Sequence, residues 1–375
     1  MPTSPDSAES SHPLRVAVLG CGAQGRNHLN AYAALPEIQI AAICDLDEAR
    51  RNATGEHYGV PESGRFADYR DLLANAGPLD IVSICTMPIS HREMTVAALD
   101  AGANVICEKP TALNLDEAQA MHAAAVRNGK LLTVGFNMRF LPAAQYLKQY
   151  VDEGGIGTPV WGHAWTMATD IPWWGKHYVK GISGGGVLAS TAVHILDLAL
   201  WMRGNPTPTT VSCSMATLYP RKRAVTAPSP QAHAEFDVED TFNAHIRFTD
   251  GTFLSLTGGW SHDQPAYSYS FELVGDRAAI EFAPLRVVEE RDGVPVDITP
   301  ELPPVTTSQT GMDDWGASVV AEIADLVHAI RTGSAPTVRF EQAMTVQAIV
   351  DACYRSADLG REVEVAPIEA AVAPR

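Results

Sequence analysis

Short apolar runs punctuate the first third of the chain: Leu14–Leu19, Ile38–Cys44, Asp80–Cys85, Asn104–Cys107 and Leu131–Val134. They do not alternate with polar residues, and Gly, Pro or Asp bounds them. A run of that kind suits a strand covered on both faces, as in a parallel sheet. Amphipathic segments lie between them, among them Asp116–Asn128, closed by Gly129. Strand and helix in repetition predict βαβ units with right-handed crossovers.

The pattern changes after about Gly135. A helix is expected over Pro142–Asp152, stopped by Gly154-Gly155. Alternating stretches follow, Asp240–Phe248 and Thr252–Thr257, joined through Asp250-Gly251, where glycine accepts the positive φ of a hairpin turn. Gly275-Asp276 and Asp292-Gly293 predict two more turns, and Leu218–Glu239 reads as a long loop. Two amphipathic segments, Asp314–Arg331 and Glu341–Leu359, read as helices that cover this second sheet or return to the first domain. The resulting division is a flexible tail over 1–13, a doubly wound Rossmann domain over 14–136, and an α+β domain with a large, mainly antiparallel open sheet over 137–375.

Composition narrows the function classes. The 375 residues suffice for two domains. A formal charge of −17, from 27 Lys+Arg against 44 Asp+Glu, repels phosphate backbones and anionic lipid, so neither nucleic acid nor a membrane is the expected partner. Residues 1–13 lack the basic start and apolar block of a signal peptide. The six cysteines show no Cys-x-x-Cys or Cys/His spacing, so no metal is expected, and free thiols fit a reducing cytoplasm.

Gly20-Cys21-Gly22-Ala23-Gln24-Gly25 follows the first strand and opens a helical pattern. In such a turn the first glycine permits the reversal, the second lets backbone approach a pyrophosphate, and the third lets helix and strand pack closely. The helix N-terminus adds free N–H groups and partial positive charge. Asp45 stands 20 residues beyond Gly25, at the end of the second strand, where a carboxylate accepts both ribose hydroxyls of an adenosine. It repels a 2′-phosphate, so NAD is expected over NADP; Arg50 and Arg51, on the next helix, read as solvated.

Ligands of open parallel sheets lie beyond the strands' carboxyl ends. Thr86-Met87-Pro88 and Glu108-Lys109-Pro110 occupy such positions. The Lys109 ammonium suits stabilisation of a developing alkoxide; its ordinary alternative is an exposed charge at a strand end. Gly184-Gly185-Gly186 precedes an apolar helical stretch, Val187–Met202, on which Ser190, Thr191, His194 and Asp197 share a face. Histidine accepts a proton near neutral pH, although a lone histidine on an apolar helix is more often a core residue. Upstream, Trp173-Trp174-Gly175-Lys176-His177-Tyr178 supplies aromatic faces for a pyranose ring, or core and interface packing. Lys176 and Lys180 hint at an anionic group on a substrate.

Together, GCGAQG, Asp45, Glu108-Lys109-Pro110, the segment Gly135–Phe140 and the GGG…His194…Asp197 array resemble the Gfo/Idh/MocA oxidoreductases, over Leu14 to Val365. The resemblance implies hydride transfer between NAD and a hydroxyl or keto carbon of a sugar, sugar derivative or cyclitol. It assigns Lys109 and His194 as catalytic. It assigns the cofactor to Gly20, Gly22, Ala23, Gln24, Gly25, Asp45, Thr86, Pro88, His91, Glu108 and Lys109. Asn137 and Arg139, on a crossing strand, with Trp174, His177, Ser190 and His194, would face substrate. It also implies a cis Lys109–Pro110 bond and a homodimer or homotetramer. One departure stands out: the resemblance implies Asp in many relatives where this chain has Ser190, so Asp197 or another group would have to orient His194, unless Asp197 is an ordinary helix residue. Two rival readings stay open, an NAD-dependent glycosidase using transient oxidation and a non-catalytic ligand-sensing binder.

Overall fold

The computed structural model describes residues 12–168, 170–218, 227–260, 268–302 and 314–369. Most of the expected tail, and Arg221-Lys222-Arg223, lie outside them. The first half runs β1 (Leu14–Leu19), α1 (Ala23–Ala33), β2 (Ile38–Cys44), α2 (Glu48–His57), β3 (Arg65–Phe66), α3 (Tyr69–Asn75), β4 (Ile81–Ile84), α4 (His91–Asp100), β5 (Asn104–Cys107), α5 (Leu115–Asn128) and β6 (Leu132–Val134). Its strands form one parallel sheet in the order β3-β2-β1-β4-β5-β6. Every residue of β4 is buried because both faces are covered. Side chains of β1 alternate between the layers, Val16 and Val18 towards α1, Ala17 and Leu19 towards the opposite core.

The second half contains α6 (Pro142–Asp152), β7 (Pro159–Met167), α7 (Lys180–Ser183), α8 (Val193–Met202), β8 (Pro208–Ala216), α9 (Pro230–Ala234), β9 (Thr241–Phe248), β10 (Phe253–Gly259), β11 (Ser268–Gly275), β12 (Ala278–Glu281), β13 (Arg286–Arg291), β14 (Val294–Asp297), α10 (Asp314–Thr332), α11 (Phe340–Leu359) and β15 (Val363–Glu364). Nine strands pair in the order β14-β13-β12-β11-β7-β10-β9-β8-β15. Only β7 and β10 run parallel; every other pair is antiparallel. Gly251 (φ +83°) turns β9 into β10, and Asp292 with Gly293 (φ +53° and +77°) turns β13 into β14. The long loop expected over Leu218–Glu239 contains the one-turn helix α9.

Of the two terminal helices, α10 belongs to the first sheet. Val319, Ile323, Leu326 and Val327 share a core with Leu29 and Tyr32 of α1. The next helix, α11, packs on β8, α5 and α8. Among the described residues one stretch, Lys180–Met202, is long and apolar enough to cross a membrane, but 94% of its apolar window is buried, so its hydrophobicity serves the core.

Arg139 joins these layers, and this corrects its expected place facing substrate. Asn137–Phe140 is a 3-10 turn rather than a crossing strand. Arg139 is wholly buried. Its Nε and Nη2 donate to the two carboxylate oxygens of Asp197 at 2.8 and 2.6 Å, and Nη1 donates to the Thr337 carbonyl at 3.1 Å and Gln342 Oε1 at 2.6 Å. Asn137 likewise donates its amide to Ser318 Oγ of α10 at 2.9 Å. Polar groups in the segment after β6 are thus spent on docking α8, α10 and α11.

Two predictions concern this seam. Arg139→Met leaves Asp197 as an unpaired buried carboxylate, a loss of about 3–5 kcal/mol; chemical denaturation measures it, and a cost under about 1 kcal/mol would show the pair to be dispensable. Glu322 of α10 is buried, and among the described residues neither carboxylate oxygen has a hydrogen-bond partner. Burial first, then Glu108, Asp197 and Asp325, push its carboxyl well above the ordinary range. An acid raised on folding is fully accommodated below its unfolded value and loses that advantage as pH rises towards its folded one. Glu322→Gln, which stays neutral, therefore gains melting temperature over the natural protein from pH 5 to pH 8; a gap that narrows with pH contradicts this.

Candidate active site

The glycine turn follows from steric limits. Gly20 takes φ +92°, and a Cβ there would lie 2.6 Å from the Cys85 carbonyl oxygen. A Cβ on Gly25 would lie 1.8 Å from the Gly20 oxygen, whereas one on Gly22 meets nothing within 4 Å. Gly22 caps α1 without a side-chain hydrogen bond, and the first turn holds no acidic residue. Open space in front of free N–H groups is the environment a pyrophosphate needs. Ala23 and Gln24 open α1 at this end.

Asp45 completes the turn from the second strand. Cys21 N–H donates to its Oδ2 at 2.8 Å and Asp47 N–H to its Oδ1 at 2.9 Å. Arg50 is not simply solvated: its Nη1 stands 3.4 Å from both Asp45 oxygens, and Nη2 is 3.4 Å from Asp47. Arg51 donates to the Asp45 carbonyl at 2.7 Å. Beside them Leu46 is 89% exposed, an apolar side chain that sequence reading passed over. The donor array, the open Gly22 face and this exposed apolar surface fit a dinucleotide.

Beyond β4, Thr86, Met87 and Pro88 form a loop pinned by Ser90, whose hydroxyl donates to Thr86 Oγ1 and the Met87 carbonyl, each at 2.9 Å. His91, expected at the nicotinamide, is fully buried beneath this loop. Its Nδ1 lies 2.9 Å from the Pro110 carbonyl and its Nε2 3.0 Å from that of Thr86, so it braces the ends of β4 and β5. The Glu108 carboxylate is also turned inward. Its Oε1 accepts from Gln24 at 3.0 Å and lies 3.1 Å from His28 Nε2. Burial alone would raise this carboxyl; the hydrogen bond and charge of His28, then Lys109 and Gln24, bring it down to about 2. His28 continues to Ser83 Oγ at 3.1 Å, which meets Tyr32 at 2.7 Å. His28 escaped the sequence reading, although an ionisable residue on the buried face of α1 was a usable signal.

Lys109 leads into a cis bond with Pro110. Its Nζ donates to the Ser190 carbonyl at 2.9 Å, across the gap between the two halves. Burial lowers the ammonium's pKa, opposed by Glu108. Its acceptor lies in Leu188–Ala192, a turn of π-helix ahead of α8. Such turns break the ordinary i→i−4 pairing and recur at functional sites.

The triple glycine serves this helix start differently from expectation. A Cβ on Gly185 would lie 1.7 Å from the Tyr354 hydroxyl oxygen, and one on Gly186 1.9 Å from the Glu239 carbonyl. The helix N-terminus is not bare: the Glu239 carboxylate accepts from Gly186 and Leu188 N–H, each at 2.9 Å, and from Tyr354 at 3.0 Å. The Ser190 hydroxyl, expected at substrate, donates to Gly185 at 3.2 Å.

His194 stands edge-on between Phe136 (ring centroids 6.4 Å apart) and Trp315 (5.4 Å). Among the described residues its buried Nδ1 has no hydrogen-bond partner. Asp197 is occupied by Arg139 and does not replace the missing carboxylate. Burial, then the charge of Lys109, holds the His194 imidazole well below its ordinary value. His177 shares this condition: burial, then Lys109, lowers it to about 4, and its Nδ1 is buried and unpartnered. Trp173 packs on Tyr178 and Phe236, while Trp174 is 70% exposed and edge-on to His177. Lys176 pairs with Glu235 at 3.4 Å, and Lys180 lies over the Tyr354 ring at 5.1 Å, so neither is reserved for an anion.

Comparison with known proteins agrees with this geometry. Residues 14–136 match a family described as an oxidoreductase family with an NAD-binding Rossmann fold, and residues 148–365 match its C-terminal alpha/beta domain. A D-glucoside 3-dehydrogenase of Escherichia coli (strain K12) is 29% identical over 96% of this chain and 99% of its own length. A D-apiose dehydrogenase of Paraburkholderia graminis is 30% identical over 94% of this chain and 90% of its own. A solved levoglucosan dehydrogenase in complex with NADH and levoglucosan superposes with a TM-score of 0.80 at 25% identity, covering 94% of this chain and 100% of that one. Family domains match both halves of the chain, which places the assignment beyond the fold alone: this chain belongs to the Gfo/Idh/MocA family of oxidoreductases.

Proposed function

We propose that the protein is an NAD-dependent dehydrogenase that transfers hydride between nicotinamide and a secondary hydroxyl or keto carbon of a sugar, sugar derivative or cyclitol. The observation that carries this reading is the Lys109 ammonium at the carboxyl end of β5, bonded to the Ser190 carbonyl four residues before His194. Nicotinamide, when bound, supplies the hydride acceptor or donor.

The chain supplies the rest. Gly20, Gly22, Ala23, Gln24 and Gly25 hold the pyrophosphate, Asp45 the adenosine ribose, and Thr86 and Pro88 the nicotinamide end. Lys109 donates to the reacting oxygen and stabilises alkoxide character as the hydroxyl proton departs. His194 accepts that proton; its low proton affinity keeps it neutral and ready above acid pH. Trp174 offers an exposed ring to the apolar face of a sugar. Glu108, His91 and Arg139 act behind these groups by fixing Lys109, the Thr86 loop and α8.

We further place the protein in the cytoplasm as a homodimer or homotetramer. Trp161, His163, Trp165 and Met167, half-buried on one face of β7, form an aromatic surface suited to a second copy. Light scattering checks this, expecting at least twice the chain mass.

Activity is tested by NADH absorbance across a panel of neutral sugars, glycosides, uronates and inositols. Substrate-dependent NADH is expected, with NAD preferred over NADP by about tenfold or more. Lys109→Ala lowers turnover by about 10²–10³-fold with NAD affinity nearly unchanged. Near-natural turnover in that variant overturns the mechanism, and sugar cleavage without net NADH favours the transient-oxidation glycosidase.

A further inference from the structure

One of the two arginines beside the cofactor turn is loosely held. Arg51 is half-buried and spends its Nη1 on the Asp45 carbonyl at 2.7 Å, so that guanidinium is committed to the backbone. Arg50 is exposed. Its Nη1 lies 3.4 Å from each Asp45 oxygen and its Nη2 3.4 Å from Asp47, contacts at the long limit of a hydrogen bond. A surface pair of this kind binds its partners weakly and rearranges at little cost.

The place of Arg50 matters because of what Asp45 still has to offer. A carboxylate presents about four acceptor sites, two on each oxygen. The backbone N–H groups of Cys21 and Asp47 take one site on Oδ2 and one on Oδ1, at 2.8 and 2.9 Å. The remaining sites are left for ribose hydroxyls, and the Arg50 guanidinium stands against the same two oxygens. A ribose bound at Asp45 therefore brings its 2′ oxygen up to Arg50. The Arg50 backbone is fixed in the first turn of α2, where its N–H donates to the cap residue Asp47 at 2.9 Å, while its side chain reaches into solvent.

Charge decides what that contact does. A 2′-phosphate arriving here meets two carboxylates, Asp45 and Asp47, with Arg51 already held by a carbonyl. Arg50 is the group able to turn to it. A guanidinium offers phosphate two parallel N–H donors, and charge-assisted bonds of that kind are about twice as strong as neutral ones. Such a bond outweighs the 3.4 Å contacts that Arg50 gives up, although the repulsion from Asp45 remains.

Resting on the dehydrogenase reading above, we propose that Arg50 is the residue that meets the ribose 2′ position: it admits NADP as a second, weaker cofactor, and it sets how far Asp45 excludes it. With NAD bound, Arg50 stays on Asp45 and Asp47. With NADP, it turns onto the phosphate.

The test measures binding, from the fluorescence of NADH and NADPH titrated with the full-length protein. It needs no substrate, which separates it from any failure of the sugar panel. Both dinucleotides should bind the natural protein, NADH the tighter. Arg50→Gln should weaken NADPH by at least about tenfold, as loss of a charge-assisted hydrogen bond does. Its NADH affinity should change by less than about fivefold, the most that an exposed ion pair contributes, which also shows that the variant folds. Arg50→Lys should keep part of the NADPH affinity. Asp45→Asn should turn the preference towards NADPH, and adding Arg50→Gln should cancel that gain. Equal weakening of both dinucleotides by Arg50→Gln overturns the proposal, because Arg50 then acts only by steadying Asp45. So does an unchanged NADPH affinity, or a natural protein that binds NADH and no NADPH. A natural protein that binds neither dinucleotide sinks the NAD reading itself and this proposal with it.

Discussion

A single hydrogen bond, from the Lys109 ammonium to the Ser190 carbonyl, ties the two halves of this protein together at the candidate site, because it spans two separately built frameworks. Lys109 is delivered by a parallel strand, and its acceptor by a π-turn at the start of a helix in the other half. Neither framework alone makes a site. The bond also gives the half-buried Lys109 ammonium an acceptor in the other half of the chain. Burial first, and then the charge of that ammonium, lower the basicity of the His194 and His177 imidazoles.

The groups that hold the bond in place are charged, and they are buried. Glu108 is tied to His28 and Gln24 behind Lys109, while Arg139 is tied to Asp197 behind α8. Such pairs contribute modestly to net stability, because desolvation offsets most of their attraction. Their value is geometric: two forked groups in a low-dielectric interior admit few arrangements, and each links elements far apart in sequence. Glu239 does the same for the π-turn, which is why Gly185 and Gly186 carry no side chains.

Position 190, one helical turn before His194, holds a serine rather than a carboxylate. A carboxylate beside His194 would raise its basicity and fix its tautomer. Without it, and with Asp197 committed to Arg139, the site holds one cation and two neutral imidazoles within reach of that cation.

Much of this was legible in sequence where the physics is local. Apolar runs bounded by Gly and Asp specified the parallel strands, because a strand buried on both faces tolerates no alternation. The Gly20–Gly25 turn and the Asp250-Gly251 and Asp292-Gly293 hairpins were legible because positive φ and close backbone approach exclude other residues. Charge partners were not. Arg139, Glu108 and His91 carry site-like chemistry in a site-like order, and sequence spacing cannot tell a carboxylate facing a cofactor from one facing His28. Their partners come from β4, α1, α8 and α11, tens to hundreds of residues away, so only the packed chain decides which polar groups are spent on structure and which are left to react. His194 and His177 differ from the rest in one physical respect: folding buries a nitrogen of each for which the described residues offer no hydrogen-bond partner.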